Sequence, residues 1–328
     1  MVWSGMLRRR WAWAAAAAAA GGAAVIAVAV VESAGPAPGR HPVSLASRPV
    51  SVSLVARFKS PEVTPVAMAL HGTLAAGTGS AALKDGGICL WETATGRVTA
   101  VLPVPAGSGG IGPLAFSPDG TILAEGAVNG SIYLWDIATG KVTATLATPG
   151  GTGPGALSFS PDGRSLAEAS TEGRLGIVYL WDVAARKVTA KSATVDNPYG
   201  ITAVAFAPGG TTVAVGEATG TILLWDTRTG TTTVGPADPK SDSGTWVGAI
   251  AFGPGGTMAA GYNGGTTYLW DARGTLTAAF TDPAVRAVFS GRRATVNGLV
   301  LALWFGPGGT TVTAADGEGD IYLWRLTR

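Results

Sequence analysis

One cysteine, two histidines and a charged fraction of only 13% set the limits on what this 328-residue chain can do. A single cysteine, Cys89, rules out an intrachain disulfide, and Cys and His nowhere recur at metal-ligand spacing, so no metal and no cofactor is expected. The net charge is +2, but Arg8, Arg9 and Arg10 precede the first acid, Glu32, and beyond them 20 basic residues face 21 acidic ones. No basic footprint for nucleic acid remains. Glycine-rich stretches at 105–112 and 148–155 neither open a helix nor lead into Lys-Ser/Thr, which excludes a phosphate loop.

What the chain has instead is repetition. The phrase ICLWE (88–92) returns as IYLWD (132–136), VYLWD (178–182), ILLWD (222–226), TYLWD (267–271) and IYLWR (321–325). Its tryptophans, Trp91, Trp135, Trp181, Trp225, Trp270 and Trp324, are 44, 46, 44, 45 and 54 residues apart. A period in the forties marks a repeat architecture. Ahead of each tryptophan stands a second phrase: AMALHG (67–72), AFSPDG (115–120), SFSPDG (158–163), AFAPGG (205–210), AFGPGG (251–256) and WFGPGG (304–309). A polar turn and another apolar run follow, as in ATGKVTATL (138–146).

Each repeat therefore spells four short strands, a to d. Pro-Asp-Gly closes the a–b hairpin with a fixed φ, a side-chain acceptor and a residue that tolerates positive φ. The Asp that follows four of the tryptophans, such as Asp136, has the same use in the c–d turn and is a turn acceptor rather than an acid catalyst. Strand c is apolar on both faces: Ile132 and Leu134 point one way, Tyr133 and Trp135 the other. A sheet with one wet face would alternate with polar residues, so sheets must be stacked on sheets, and radial stacking of four-stranded sheets makes a β-propeller. Cys89 stands in the register of Tyr133, Tyr179, Leu223, Tyr268 and Tyr322, a buried slot for a small apolar residue.

These phrases resemble those of the WD-repeat propellers, in the form found in bacteria, with SPDG in the a–b turn and LWD closing strand c. The resemblance spans residues 50–328. It implies a protein-interaction scaffold without catalysis, whose d–a and b–c loops share one partner-binding face. The family's usual Gly-His pair is missing, so its buried Asp-His-Ser-Trp network cannot form in the usual shape. Packing of tryptophans and of small residues near the axis is expected to replace it. Six repeats are present where the family commonly has seven.

The last repeat ends at Trp324-Arg325-Leu326-Thr327-Arg328 with no strand d after it. The apolar run 51–58 has no repeat before it, and can supply that strand and close the ring, removing the edges that would pair with other chains. The fold class expected is all-β: a six-bladed propeller of four-stranded antiparallel blades, closed by an N-terminal strand and preceded by one transmembrane helix. The chain is expected to be monomeric. The long fifth interval holds an insertion at 282–298, too short for a blade but long enough for a hairpin.

Residues 1–10 form a basic head. Residues 11–31 are 21 uncharged residues, about 31 Å as a helix, enough to span a bilayer's hydrocarbon. Trp11 and Trp13 stand where an interfacial belt would lie, and the arginines keep the head in the cytoplasm. A signal anchor follows, with the propeller outside the membrane; secretion after signal cleavage is the alternative. Val and Ile at 25, 26, 28, 30 and 31 supply most of the insertion energy, about −2 kcal/mol in sum. Residues 32–49, rich in Pro, Gly and Ser, form a linker.

Candidate partner-binding residues are the distinctive ones in bland loops and in the insertion: Tyr199, Lys240, Trp246, Arg286, Arg292 and Arg293. Trp246 reads two ways, as an exposed hot spot or as the first residue of strand a packing inward. No catalytic constellation assembles. A second function remains open, a cation-binding or hydrolytic propeller. Glu125 and Glu168 both lie seven residues past the turn proline, and a ring of carboxylates there at the channel mouth could take calcium, as in lactonase-type propellers.

Overall fold

The segment ending in tryptophan is the third strand of each repeat, and it pairs on both sides. In the computed structural model the described residues are 27–29, 50–59, 64–68, 74–78, 87–92, 97–150, 153–172, 175–192, 195–196, 200–236, 245–281, 286–290, 293–297, 299–317 and 319–327. Four sheets of four antiparallel strands follow the repeats. The first is Thr64–Met68, Leu74–Thr78, Ile88–Glu92 and Val98–Leu102. The second is Ile111–Phe116, Ile122–Ala127, Ser131–Asp136 and Lys141–Ala147. The fourth is Ile201–Phe206, Thr212–Glu217, Ile222–Asp226 and Thr232–Val234. The fifth is Val247–Phe252, Met258–Tyr262, Thr266–Trp270 and Leu276–Thr281.

The third and sixth repeats build the same four-strand unit. The third is Ala156–Phe159, Ser165–Glu172, Leu175–Asp182 and Lys187–Lys191. The sixth is Val300–Phe305, Thr311–Asp316 and Asp320–Thr327, completed by Ser51–Lys59. That N-terminal strand runs antiparallel to the last one, from Ser51 opposite Thr327 to Lys59 opposite Asp320. The expected strand exchange is thus present. The insertion forms a separate hairpin of Arg286–Ser290 and Arg293–Asn297.

Turn chemistry explains the hairpins. Asp119 Oδ1 accepts from the Ser117 hydroxyl at 2.6 Å and from the Thr121 amide at 3.1 Å, while Gly120 takes φ 71°. Asp162 repeats the pattern with Ser160 and Arg164, and Gly163 takes φ 70°. Asp136 Oδ1 accepts from the Thr139 amide and hydroxyl at 2.7 and 2.8 Å, which confirms it as a turn acceptor. These hydrogen bonds hold the Asp136, Asp119 and Asp162 carboxyls below the usual range.

Paired residues in an antiparallel ladder share a face. Trp181 lies opposite Leu166 and Tyr179 opposite Glu168, so these four share one face of the third sheet. That face packs in one apolar cluster with the second sheet, and the opposite face, with Ala167, Ala169 and Val178, packs with the fourth. The fifth sheet meets the sixth through Ala249, Ala259 and Leu269 against Val312, Tyr322 and Trp324. Cys89 and Trp91 of the first meet Ala302, Ala315 and Ile321 of the sixth. All six tryptophans are buried, Trp324 the least, at 8% exposure. Cys89 is a free buried thiol whose pKa burial raises.

Small residues let the sheets approach. A Cβ added at Gly261 would lie 2.4 Å from Val300 Cγ1, and one at Gly216 would lie 2.7 Å from Val247 Cγ1. The expected small-residue contacts between neighbouring repeats are therefore present.

Of the expected membrane span 11–31, only 27–29 lies within the described residues, and there the expectation of a helix is corrected. Ala27–Ala29 is a strand, parallel to Ala156–Phe159 on one side and Val300–Phe305 on the other. The physical reason is that strand a is the edge of each sheet. Its outward N–H and C=O groups need partners, and an extended apolar segment supplies them. Among the described residues no helix is long and apolar enough to cross a membrane.

Candidate functional site

Two carboxylates that the sequence placed at a channel mouth lie instead inside the sheets. Glu125 and Glu168 sit in strand b of the second and third sheets, and both are 0% exposed. They do share a register: Glu125 is opposite Tyr133 and Glu168 opposite Tyr179. Each is bonded by its own sheet's tryptophan. Trp135 Nε1 donates to Glu125 Oε2 at 2.7 Å, and Trp181 Nε1 donates to Glu168 Oε2 at 2.5 Å. The other oxygen of each, Oε1, has no hydrogen-bond partner. A cation would have to shed its water and enter an apolar sheet boundary to reach them, which a calcium site at a channel mouth does not require.

Burial pushes both carboxyls up to about 7, and the indole hydrogen bonds offset only part of that. Thr148, in the connection from the second sheet to the third, also favours the charged form of Glu168. Its hydroxyl is near enough to act on the carboxyl but does not complete a hydrogen bond.

The pattern is confined to these two repeats. The same register holds Gly77, Val215, Ala260 and Ala314 in the others. Accordingly the Trp225 indole N–H, buried opposite Val213, has no partner. Glu217 stands two residues past the register, at the end of its strand, and accepts from the Thr219 hydroxyl at 3.0 Å. The polar network thought to be lost with the histidines is thus rebuilt with glutamate in two repeats. The signal was in the sequence: the two Glu share a spacing from the turn proline.

Of the six expected partner residues, Trp246, Arg286 and Arg293 lie within the described residues. Tyr199, Lys240 and Arg292 lie outside the described residues. Arg286 and Arg293 fall at opposite ends of the insertion hairpin, opposite Asn297 and Ser290. Trp246 is half-buried. Its amide donates to Asn263 Oδ1 at 3.2 Å, its carbonyl accepts from the Asn263 amide, and its buried indole N–H has no partner. It introduces strand a, so the inward-packing reading fits better than the exposed one.

The closing strand has a polar fastening that the sequence reading did not find. Arg57 donates to Asp320 at 2.7 Å and lies over the Tyr322 ring, 5.5 Å from its centroid. The Asp320 carboxylate is buried while the arginine is half-exposed. Separately, a groove of about 420 Å³ runs between the outer parts of the fourth and fifth sheets, lined by Leu224, Val234, Phe252, Met258 and Trp270 among others.

Comparison with known proteins fits this geometry. A chain in a structure titled "Crystal Structure of Mitotic Checkpoint Complex" is similar over 90% of this chain and 98% of that one, with TM-score 0.59 and 16% identity. The fold is that of a β-propeller. Residues 191–226 match the family described as "WD domain, G-beta repeat", from the end of one outer strand through strands a, b and c of the fourth sheet. Within the propeller class, the stretch 191–226 is thus similar to one WD40 repeat. Solved structures similar in fold number 1807 chains, so the fold alone singles out no activity. No curated protein matches by sequence.

Proposed function

We propose that this chain is a six-bladed WD-repeat propeller, closed by its N-terminal strand, that acts as a protein-interaction scaffold without catalysis of its own. The observation that carries this reading is the packing of every sheet against its neighbours on both faces. Packing takes up the strands, which leaves the connecting loops and outer strand edges to meet a partner. Each described sheet runs antiparallel in the order a to d, so strands d end and strands a begin at the same end of the sheets. Rigid scaffolds carrying clustered loops are suited to recognition. The propellers that share this fold include a chain found in a checkpoint assembly, which supports a binding role.

The proposed location is the outer face of a membrane, and it rests on Arg8–Arg10 and the uncharged run 11–31. Insertion of that run would undo the pairing of Ala27–Ala29 with the inner strands, because the same residues cannot span a bilayer and extend a sheet. Cross-linking of intact cells followed by mass spectrometry tests partner and location together. The scaffold reading expects cross-links from the loop face to one or a few proteins. Cross-links scattered at random over both faces and the rim would overturn it.

A further inference from the structure

The boundary between the second and third sheets holds a titratable group that a passive scaffold does not need. Glu168 is fully buried, with Oε2 on the Trp181 indole and Oε1 unpartnered. Thr148 approaches it from the neighbouring sheet, and its buried hydroxyl is also unpartnered. Thr148 begins the 148–155 connection on the loop face. Two residues further on, Gly150 takes φ 86°, and a Cβ there would lie 3.0 Å from Glu172 Oε1. Glu172 ends the same strand as Glu168 and accepts from the Tyr179 hydroxyl. Tyr179 in turn lies directly opposite Glu168. One continuous set of contacts therefore joins the buried carboxyl to the loop.

The groups facing this carboxyl cannot neutralise a negative charge. From its own sheet they are Trp181, Tyr179 and, beyond Tyr179, Glu172; from the second sheet the polar neighbour is Thr148. Burial first, and then Glu172 and Glu168, hold the Tyr179 hydroxyl in its neutral form. Glu125, the equivalent carboxyl one sheet earlier, faces Tyr133 and Trp135 and belongs to the boundary with the first sheet, whose described members there are apolar: Ile88, Leu90 and Leu102. Among the described residues no Lys, Arg or His contributes to either carboxyl.

We propose that Glu168 is a proton-operated latch on the start of the connection between the second and third sheets, Thr148–Gly150. Neutral, it brings no charge into the boundary between the second and third sheets, which stays shut. Ionised, it is a charge without a counter-ion, and opening the loop edge to water relieves it. The proposal deepens the scaffold reading by naming a regulation of its loop face. It is tested without any partner, so it can fail while partner capture succeeds, and the reverse.

The test is hydrogen exchange with mass spectrometry on the full chain at pH 5.5 and pH 8, corrected for intrinsic exchange rates. With the carboxyl at about 7 in the closed state and at the ordinary 4.5 in the open one, local opening should rise roughly 30-fold between the two pH values. The loss of protection should fall on peptides covering 146–157 and 165–182, not on the fifth sheet. In Glu168→Gln these peptides should exchange alike at both pH values. Glu125→Gln should leave their pH response intact. A wild-type response that is flat, uniform over all sheets, or unchanged in Glu168→Gln would overturn the latch. If Glu168→Gln does not fold, infrared difference spectra of Glu125→Gln, in which Glu168 is the remaining raised carboxyl, decide. A buried protonated-carboxyl band present at pH 5.5 and lost by pH 8.5 supports the latch, and no change in that band overturns it.

Discussion

Raising the pH from 5 to 8 should weaken the folded protein. Glu125 and Glu168 each move from an ordinary 4.5 to about 7 on folding, because burial penalises the charge. Between those values the folded chain holds two protons that the unfolded chain has released, so stability falls as pH rises. Their contribution is fully present below about pH 4.5, declines up to about pH 7 and is flat above it. At about 1.4 kcal/mol per unit, each carboxyl costs roughly 3 kcal/mol by pH 8. For a domain of this size that corresponds to a fall in Tm on the order of 5 °C per carboxyl. The assay is thermal unfolding of the wild type, Glu125→Gln, Glu168→Gln and the double variant at half-unit steps from pH 5 to 8.5. Glutamine keeps a carbonyl oxygen for the indole N–H but does not titrate. Each single variant should therefore lose about half of the slope, and the double variant should be nearly flat. The turn aspartates Asp119, Asp136, Asp162, Asp226 and Asp271 have lowered values; the stability they add is lost only as pH falls below about 4, outside this window. A wild-type Tm that rises from pH 5.5 to 8, or a double variant that falls as steeply as the wild type, would refute the reasoning.

Other substitutions probe the packing and the closure. Gly261→Ala places a methyl 2.4 Å from Val300 Cγ1, and should cost about 1–3 kcal/mol by overpacking, read as a lower urea midpoint. Arg186 is, among the described residues, the one non-glycine with positive φ, 55°, where the second repeat has Gly140. Arg186→Gly should stabilise by about 1 kcal/mol, less what its hydrogen bond to the Thr143 carbonyl contributes, read in the same assay. Arg57→Met leaves the buried Asp320 carboxylate without its guanidinium. It should lower Tm and speed hydrogen exchange in 51–59 and 320–327 before other strands; equal exchange in those strands would show that the ion pair does not fasten the ring.

Much of this fold is legible in the sequence because its signals are local and repeated. Trp135 and its counterparts fix strand c, Pro118-Asp119-Gly120 and its copies fix the a–b turn, and the spacing between them leaves no room for a helix. The missing strand d after Trp324 pointed to 51–58, and the ladder from Ser51 to Lys59 is the result. The insertion at 282–298 had too few residues for a sheet and makes a hairpin.

The carboxylates were harder to read. A glutamate between small residues, as in Ala124-Glu125-Gly126 or Ala167-Glu168-Ala169, gives no alternation from which to assign a face. Acids default to solvent because burying one is costly. What overrides the default is an indole N–H brought across from strand c, 10 residues on from Glu125 and 13 from Glu168. Strands b and c run further past this pair in the third sheet than in the second, so the spacing varies and the pairing shows only once the strands are laid side by side. Arg57 and Asp320 were hidden for a similar reason: 263 residues separate them.

The two Trp–Glu pairs also make the ring chemically unequal. A histidine-based network in every repeat would spread one polar fastening evenly around the axis. Here the fastening is glutamate in the second and third sheets, while Val215, Ala260 and Ala314 stand in its place further on. Those later sheets meet through alanine, valine and aromatic rings, as in the edge-on contact of Tyr262 with Tyr268 at 5.6 Å. Apolar contacts of this kind do not titrate. The response that Glu125 and Glu168 give near neutral pH must therefore begin at the first three sheets. The same asymmetry separates two kinds of lesion: changes among the apolar contacts of the fifth and sixth sheets should alter stability equally at all pH values, and changes at Trp135 or Trp181 should alter its slope.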